Sequence, residues 1–278
     1  MGIELVILDF DGTITDIDKE AVPVVAGWKK DVGKELGFTD EEIQRRWANA
    51  ESKIKSNPQN YGWVKSNKII APACADPLVM ATVTTQVLFD EESKYLDEHK
   101  RDEVSYKIFK DNYKKSKTVF KEGAKQFLSE LKNQFHVYII TNSTSSEVSK
   151  KLQKLSNDHT NIPIYGEARK YILHPDWTDV PESVERKGFG RPLFLRRKQY
   201  WDVIKNIMKE KGVSPDKVAV VGDIYELDLL LPEYKGMRVV LTPQPTAADF
   251  ELAAVKSYSK GYIAESLRNV LEHLKSHR

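Results

Sequence analysis

A chain of 278 residues is long enough for one large domain or two modest ones, either with a sizeable buried core. Its 43 Lys and Arg nearly balance 41 Asp and Glu, so no bulk field draws it onto nucleic acid or an anionic membrane. Cys74 is the only cysteine, which excludes an internal disulfide and fits a reducing compartment. No apolar run approaches membrane-spanning length, and the N-terminal residues enter a strand pattern without a basic leader or apolar signal core. The expectation is a cytoplasmic protein that binds neither nucleic acid nor membrane.

The first element, Glu4-Leu5-Val6-Ile7-Leu8, is an apolar run that ends in Asp9, Phe10, Asp11, Gly12 and Thr13. Such a run bounded by a turn signal reads as a buried parallel strand. Ligands of open α/β sheets bind beyond the carboxyl ends of the strands, and Asp9 and Asp11 project to the same side of an extended chain. Two like charges that close call for a cation. The competing reading is an Asx-type turn in which Asp11-Gly12 merely reverses the chain.

The pattern then stays helical for about a hundred residues, longer than any ordinary connection, and reads as an insertion over 18–117. Its first helix spans about Lys19 to Leu36, with Val22, Val25, Trp28, Val32 and Leu36 on one face and Gly37 closing it. Thr39 and Glu42 form a capping box ahead of Ile43, Trp47, Ala50 and Ile54. Pro72 and Pro77 interrupt 60–76, which reads as loop with short helix. Asp76-Pro77 caps a third helix, and Val104, Ile108 and Tyr113 mark a fourth over about Asp102 to Lys117.

Sheet-and-helix alternation returns with a helix whose inward face is Ala124, Phe127, Leu128 and Leu131. The strand His136–Ile140 then ends in Thr141, Asn142 and Ser143, where a hydroxyl and backbone amides at a strand-to-helix turn make an anion site. Thr141, Ser143 or Ser145 alternatively caps the helix from about Ser146 to Leu155. Ile162–Gly166 suggests a short strand. In 167–197 the basic residues Arg186, Lys187, Arg191, Arg196 and Arg197 collect near the end; this stretch is either a substrate-facing flap or a solvated loop or hairpin. Lys198 opens an amphipathic helix that ends at Gly212. Val218–Val221 is another buried strand that ends in Gly222-Asp223, with Asp228 five residues on. Strands at 237–242 and 261–264 and a helix over 266–275 complete the chain.

Asp9-Phe10-Asp11-Gly12-Thr13 resembles the Asp-x-Asp-Gly-Thr motif of the haloacid dehalogenase-like phosphohydrolases, and three further segments resemble later motifs in the right order. The resemblance covers 1–17 and 118–278 and implies an α/β core, a Rossmann-like doubly wound parallel sheet, with an inserted all-helical cap domain over 18–117 that closes to exclude water. It implies that Asp9 attacks phosphorus to form an aspartyl-phosphate, and that Asp11 serves as general acid and then base. Thr141 and the amide of Asn142 would hold a phosphate oxygen. Lys198 has the spacing of the motif cation, with Arg191 as rival because Gly190-Arg191-Pro192 resembles the family's Gly-Lys-Pro. Mg2+ would be bound at Asp9, Asp11 through its carbonyl, Asp223 and Asp228, the last assisting or orienting. The presence of Asp11 argues against the dehalogenase branch. The implied substrate is a small phosphorylated metabolite, with a phosphotransferase or a non-catalytic scaffold as alternatives.

Overall fold

Residues 2–156 and 161–278 are described in a computed structural model of the chain. They divide into two compact units, Met1–Asp16 with Phe120–Arg278 and Ile17–Val119. The chain starts with strand β1 (Leu5–Leu8), buried at every position, and then enters the second unit.

Helix α1 (Ile17–Leu36) buries Ile17, Ala21, Val24, Trp28 and Val32, while Val22 is 67% exposed. The expected stripe was therefore displaced. Val22 and Val24 offer two competing faces at helical spacing, and the one continuous with Ala21 and Trp28 is packed; Val25 and Leu36 lie at its margin. Helix α2 (Asp40–Ser56) starts at the expected cap, with Thr39 Oγ1 accepting the Glu42 amide at 3.2 Å and Ile43, Trp47, Ala50 and Ile54 buried, while the Glu42 carboxylate takes Arg46 at 3.0 Å.

The insertion is not helical throughout. Where a loop with short helix was expected, β2 (Gly62–Lys65) and β3 (Lys68–Pro72) form an antiparallel hairpin. Val64, Ile69 and Ile70 supply β-branched side chains, and Ser66 and Asn67 turn the chain with φ of 49° and 58°, the left-handed pair of a two-residue hairpin turn. Asp76 Oδ1 accepts the amides of Leu78 and Val79 at 2.6 and 2.8 Å to start α3 (Pro77–Asp90). Helix α4 (Glu98–Tyr113) begins four residues before the expected start, because Asp97 Oδ1 caps the amides of His99 and Lys100. Trp28, Trp47, Leu88, Phe89 and Tyr95 lie in the core of this unit.

The other unit resumes with α5 (Ala124–Lys132), β4 (His136–Ile140), α6 (Ser145–Leu155) and β5 (Ile164–Tyr165). A hairpin of β6 (Ser183–Val184) and β7 (Leu193–Phe194) precedes α7 (Lys198–Lys211) and β8 (Val218–Gly222). Helix α8 (Leu230–Tyr234), β9 (Arg238–Leu241), α9 (Asp249–Ser257), β10 (Gly261–Ile263) and α10 (Leu267–Lys275) complete it.

Six strands form one parallel sheet in the order β10-β9-β8-β1-β4-β5, the Rossmann-like α/β core. Leu8 pairs with Ile139 on one side and Val221 on the other, so β1, β4 and β8 finish level with one another. The order reverses about β1, the place where open α/β sheets bind ligands beyond their strand ends. Phe10, Phe127, Leu128, Ile139, Val221 and Leu271 belong to its core. Thr144 caps α6 in a reciprocal box with Glu147, so none of the three expected caps is used. That leaves Thr141 and Ser143 at the sheet edge for other contacts.

Segment 167–197 holds the β6–β7 hairpin, one of the forms expected for it, and its Arg186 and Arg191 are paired. Phe189 is fully buried with its ring 4.5 Å from that of Phe250, Arg186 pairs with Glu233 at 2.7 Å, and Arg191 forks onto the buried Glu226. Among the described residues no helix is long and apolar enough to cross a membrane.

The 62–72 hairpin carries a direct test. Replacing Ser66 by Asn and Asn67 by Gly installs the pair most at ease in this turn and is expected to stabilise the protein by about 0.5–1 kcal/mol in urea unfolding. If the segment were loop or helix, the added glycine would lower the midpoint.

Candidate active site

Each strand tip ends in a residue that packing alone does not require. Beyond β1, Asp9 is 8% exposed; beyond β8, Asp223 is 4% exposed; and Asp228, in the wide helical turn Tyr225–Leu229, is 3% exposed. Carboxylate oxygens of these three lie within 4.8 Å of one another. Two glycines permit the approach. Gly12 has φ of 84°, and a Cβ there would strike the Asp223 carboxylate; one on Gly222 would strike the Asp228 side chain.

At the centre lies a lysine that the sequence reading did not single out. Lys170, 1% exposed, donates to Asp9 Oδ1 at 2.7 Å and to Asp228 Oδ1 at 2.8 Å. Lys198, the expected cation, opens α7 at the surface and pairs with Asp202 one turn on. A lysine in the first turn of an amphipathic helix faces solvent unless it replaces an apolar residue, and the inward positions here belong to Tyr200, Trp201 and Ile204. Its rival Arg191 is committed to Glu226. Neither meets the aspartates.

Lys170 is delivered by a tight loop after β5. Glu167 and Arg169 hold φ of 51° and 45°, a left-handed backbone that costs side-chain-bearing residues of order 1 kcal/mol each. The loop is tied to the tip of β4: the Glu167 and Ala168 amides donate to the Ser143 and Thr141 carbonyls at 2.8 and 2.9 Å, and the Lys170 amide donates to Asn142 Oδ1 at 2.8 Å. Asn142 thus anchors the lysine loop with its side chain. Arg197, 1% exposed, donates to the Lys170 carbonyl from the other side.

Thr13 Oγ1 donates to Asp9 Oδ2 at 3.2 Å, with a longer contact of 3.5 Å to Asp223 Oδ1. Gln244, just beyond β9, donates to both Asp223 Oδ2 at 2.8 Å and the Gly12 carbonyl at 2.9 Å, so it clamps two strand tips together. Asp228 Oδ2 accepts the Ile224 amide at 3.0 Å while its Oδ1 holds Lys170. Asp228 thus orients Lys170 from one oxygen while the other is held by its own turn. Asp11 is more open: Ser143 Oγ donates to its Oδ2 at 2.6 Å and Lys151 Nζ reaches its Oδ1 at 2.7 Å. Thr141 is 1% exposed and its Oγ1 accepts the Ser143 amide at 3.1 Å.

Burial, with repulsion from Asp228 and Asp11, outweighs the attraction of Lys170 and pushes Asp9 up to about 7. Burial likewise opposes the Lys170 charge, but Asp228 and Asp9 prevail and hold the ammonium well above the ordinary lysine range. The three carboxylates form an all-oxygen set whose size and charge fit a hard divalent cation such as Mg2+.

The chain matches the family model of the haloacid dehalogenase-like hydrolases over residues 3–231. It is similar in structure to a HAD-hydrolase of Bacillus subtilis, YfnB, solved bound to magnesium (TM-score 0.55, 13% identity, 99% of this chain and 100% of that one covered). It is also similar to a predicted phosphoglycolate phosphatase of Haemophilus somnus (0.56, 14%, 98% and 97%). A conserved haloacid dehalogenase-like protein of Agrobacterium tumefaciens, ATU0790, gives 0.55 at 18% identity, with 99% of both chains covered. Identities this low establish a common fold. No curated protein matches the chain in sequence.

The raised Asp9 pKa predicts a pH dependence of stability. The folded protein holds a proton on Asp9 up to about 7, against an ordinary 3.8, so this contribution is complete below pH 4 and is lost as pH rises through 7. In chelator, wild type is expected to lose up to about 4 kcal/mol relative to Asp9→Asn between pH 4 and 7.5 in urea unfolding. Parallel profiles for the two proteins would contradict the assignment.

Proposed function

The chain belongs to the haloacid dehalogenase-like hydrolases, and from that premise we propose that it is a Mg2+-dependent phosphomonoesterase acting on a small phosphorylated metabolite through an aspartyl-phosphate. The observation that carries this reading is the buried Asp9 held by Lys170 with Asp223 and Asp228 beside it. Mg2+, when bound at Asp9, Asp223 and the Asp11 carbonyl, supplies charge neutralisation for the phosphoryl group, which is the main contribution a protein site makes to phosphoryl transfer.

Asp9 Oδ attacks phosphorus while the bond to the ester oxygen breaks, and the departing oxygen keeps its electron pair and takes a proton from Asp11. Asp11 then removes a proton from water, whose oxygen attacks phosphorus; the bond to Asp9 breaks and inorganic phosphate leaves. Thr141 Oγ1, the Asn142 amide and Lys170 bind the non-bridging oxygens. Lys170 also fixes the attacking carboxylate by its bond to Oδ1. Asp11 further supports phosphorus over carbon as the centre attacked, because displacement of a halide needs no acid at that position.

Purified protein with Mg2+ is expected to release phosphate from a generic aryl phosphate, and chelator is expected to abolish that release. Asp9→Asn should lower turnover by at least about a thousandfold. Lys170→Met should lower it by about a hundredfold or more, while Lys198→Met, which removes a surface pair, stays within about twofold. Undiminished release by Asp9→Asn would sink the mechanism, and a larger loss for Lys198→Met than for Lys170→Met would reverse the choice of cation.

A further inference from the structure

A general acid on a strand-to-helix turn is only as useful as its orientation, and the Asp11 carboxylate has two donors on it. Ser143 Oγ comes from the tip of β4, and Lys151 comes from the second turn of α6. The ion pair is partly buried, with side-chain exposures of 15% for Lys151 and 20% for Asp11. Lys151 is not left to wander. Its ammonium lies 5.7 Å from the centroid of the Phe10 ring, and Phe10, fully buried, packs edge-on against Phe120 at 6.4 Å. The neighbours Val148 and Leu152 seat this face of α6 in the core.

We infer that Lys151 is a positioning residue for acid–base catalysis: with Ser143 it fixes the orientation of the Asp11 side chain, which in its protonated form gives that proton to the leaving oxygen and as the carboxylate takes one back from water. The inference rests on the phosphatase reading above and extends it to a residue outside the four motifs. Nothing in the binding of the phosphoryl group requires Lys151, since that work falls to Thr141, Asn142 and Lys170. Its effect is therefore confined to proton transfer and scales with how much help the leaving group needs. A nitrophenolate leaves unaided, whereas an alkoxide does not.

The test compares kcat/KM, which reports only steps through cleavage of the ester, for p-nitrophenyl phosphate and for a simple alkyl phosphate with Mg2+ present. Lys151→Met is expected to lower kcat/KM for the alkyl ester by about tenfold or more and for the aryl ester by less than about threefold, with Lys151→Arg restoring most of the alkyl activity. Asp11→Asn should show the same bias more strongly, and competitive inhibition by inorganic phosphate should be unchanged in Lys151→Met. Equal losses on both esters, or a weakened phosphate inhibition, would mean that Lys151 binds substrate or supports the fold and would overturn the inference. So would an unchanged ratio of the two esters with wild-type activity intact, and this leaves the phosphatase reading standing. A wild-type protein that hydrolyses neither ester removes that reading and the inference with it.

Discussion

The ammonium of Lys170 between Asp9 and Asp228 is the contact on which the rest of the site depends. Two carboxylates brought together at the tips of neighbouring elements repel, and burial makes each charge more costly still. A single cation within 2.8 Å of both turns that repulsion into a bridge. The bridge spans three stretches far apart in sequence: the turn after β1, the loop after β5 and the wide turn after β8. Gln244 adds a second tie, from beyond β9 to Asp223 and Gly12. Sheet register sets the scale on which these ties operate, because Leu8, Ile139 and Val221 align across three strands.

What could be read from the sequence divides along physical lines. Strands buried on both faces leave an apolar run whose polar end is visible, and Asp9, Thr141 and Asp223 stand at such ends. Caps of the Thr39 and Asp76 kind are local and equally legible. Lys170 was not legible. It lies in a loop without periodicity, among 43 basic residues, and reaches the aspartates through two left-handed residues that are not glycine. Only its position shortly after the β5 strand signal at Ile162–Gly166 pointed toward it. Lys198 had tidy spacing instead, but spacing cannot distinguish a lysine aimed at a site from one aimed at Asp202.

The 62–72 hairpin was hidden for a related reason. Ser66-Asn67 lacks the glycine that usually marks a two-residue turn, and the run on either side is too short to show alternation. Helix α1 is a different case: its apolar residues support two faces, and only contacts with the other helices of its unit select between them. In both cases the deciding free energy comes from packing between elements, which a window of local sequence does not contain.

The buried ion pairs of 167–197 make sense as a consequence of where Lys170 must be. A segment whose regular structure is one short hairpin has little to hold it, yet its first residues carry the lysine and its last, Arg197, secures the lysine carbonyl. Between them Arg191 pairs with Glu226 and Arg186 with Glu233, and Tyr225 also donates to Glu233 at 2.8 Å. Those partners sit in or beside the turn that carries Asp228. Burial, reinforced by Glu226, pushes Glu251 up to about 8, and it is Glu226 that receives the fork of Arg191. Apolar side chains of equal volume would pack this region at lower desolvation cost. They would not fix direction as a forked guanidinium does. The same segment and turn that supply Lys170 and Asp228 are thus joined by the contacts most sensitive to geometry, where a displacement of an ångström would separate the ammonium from one of its two carboxylates.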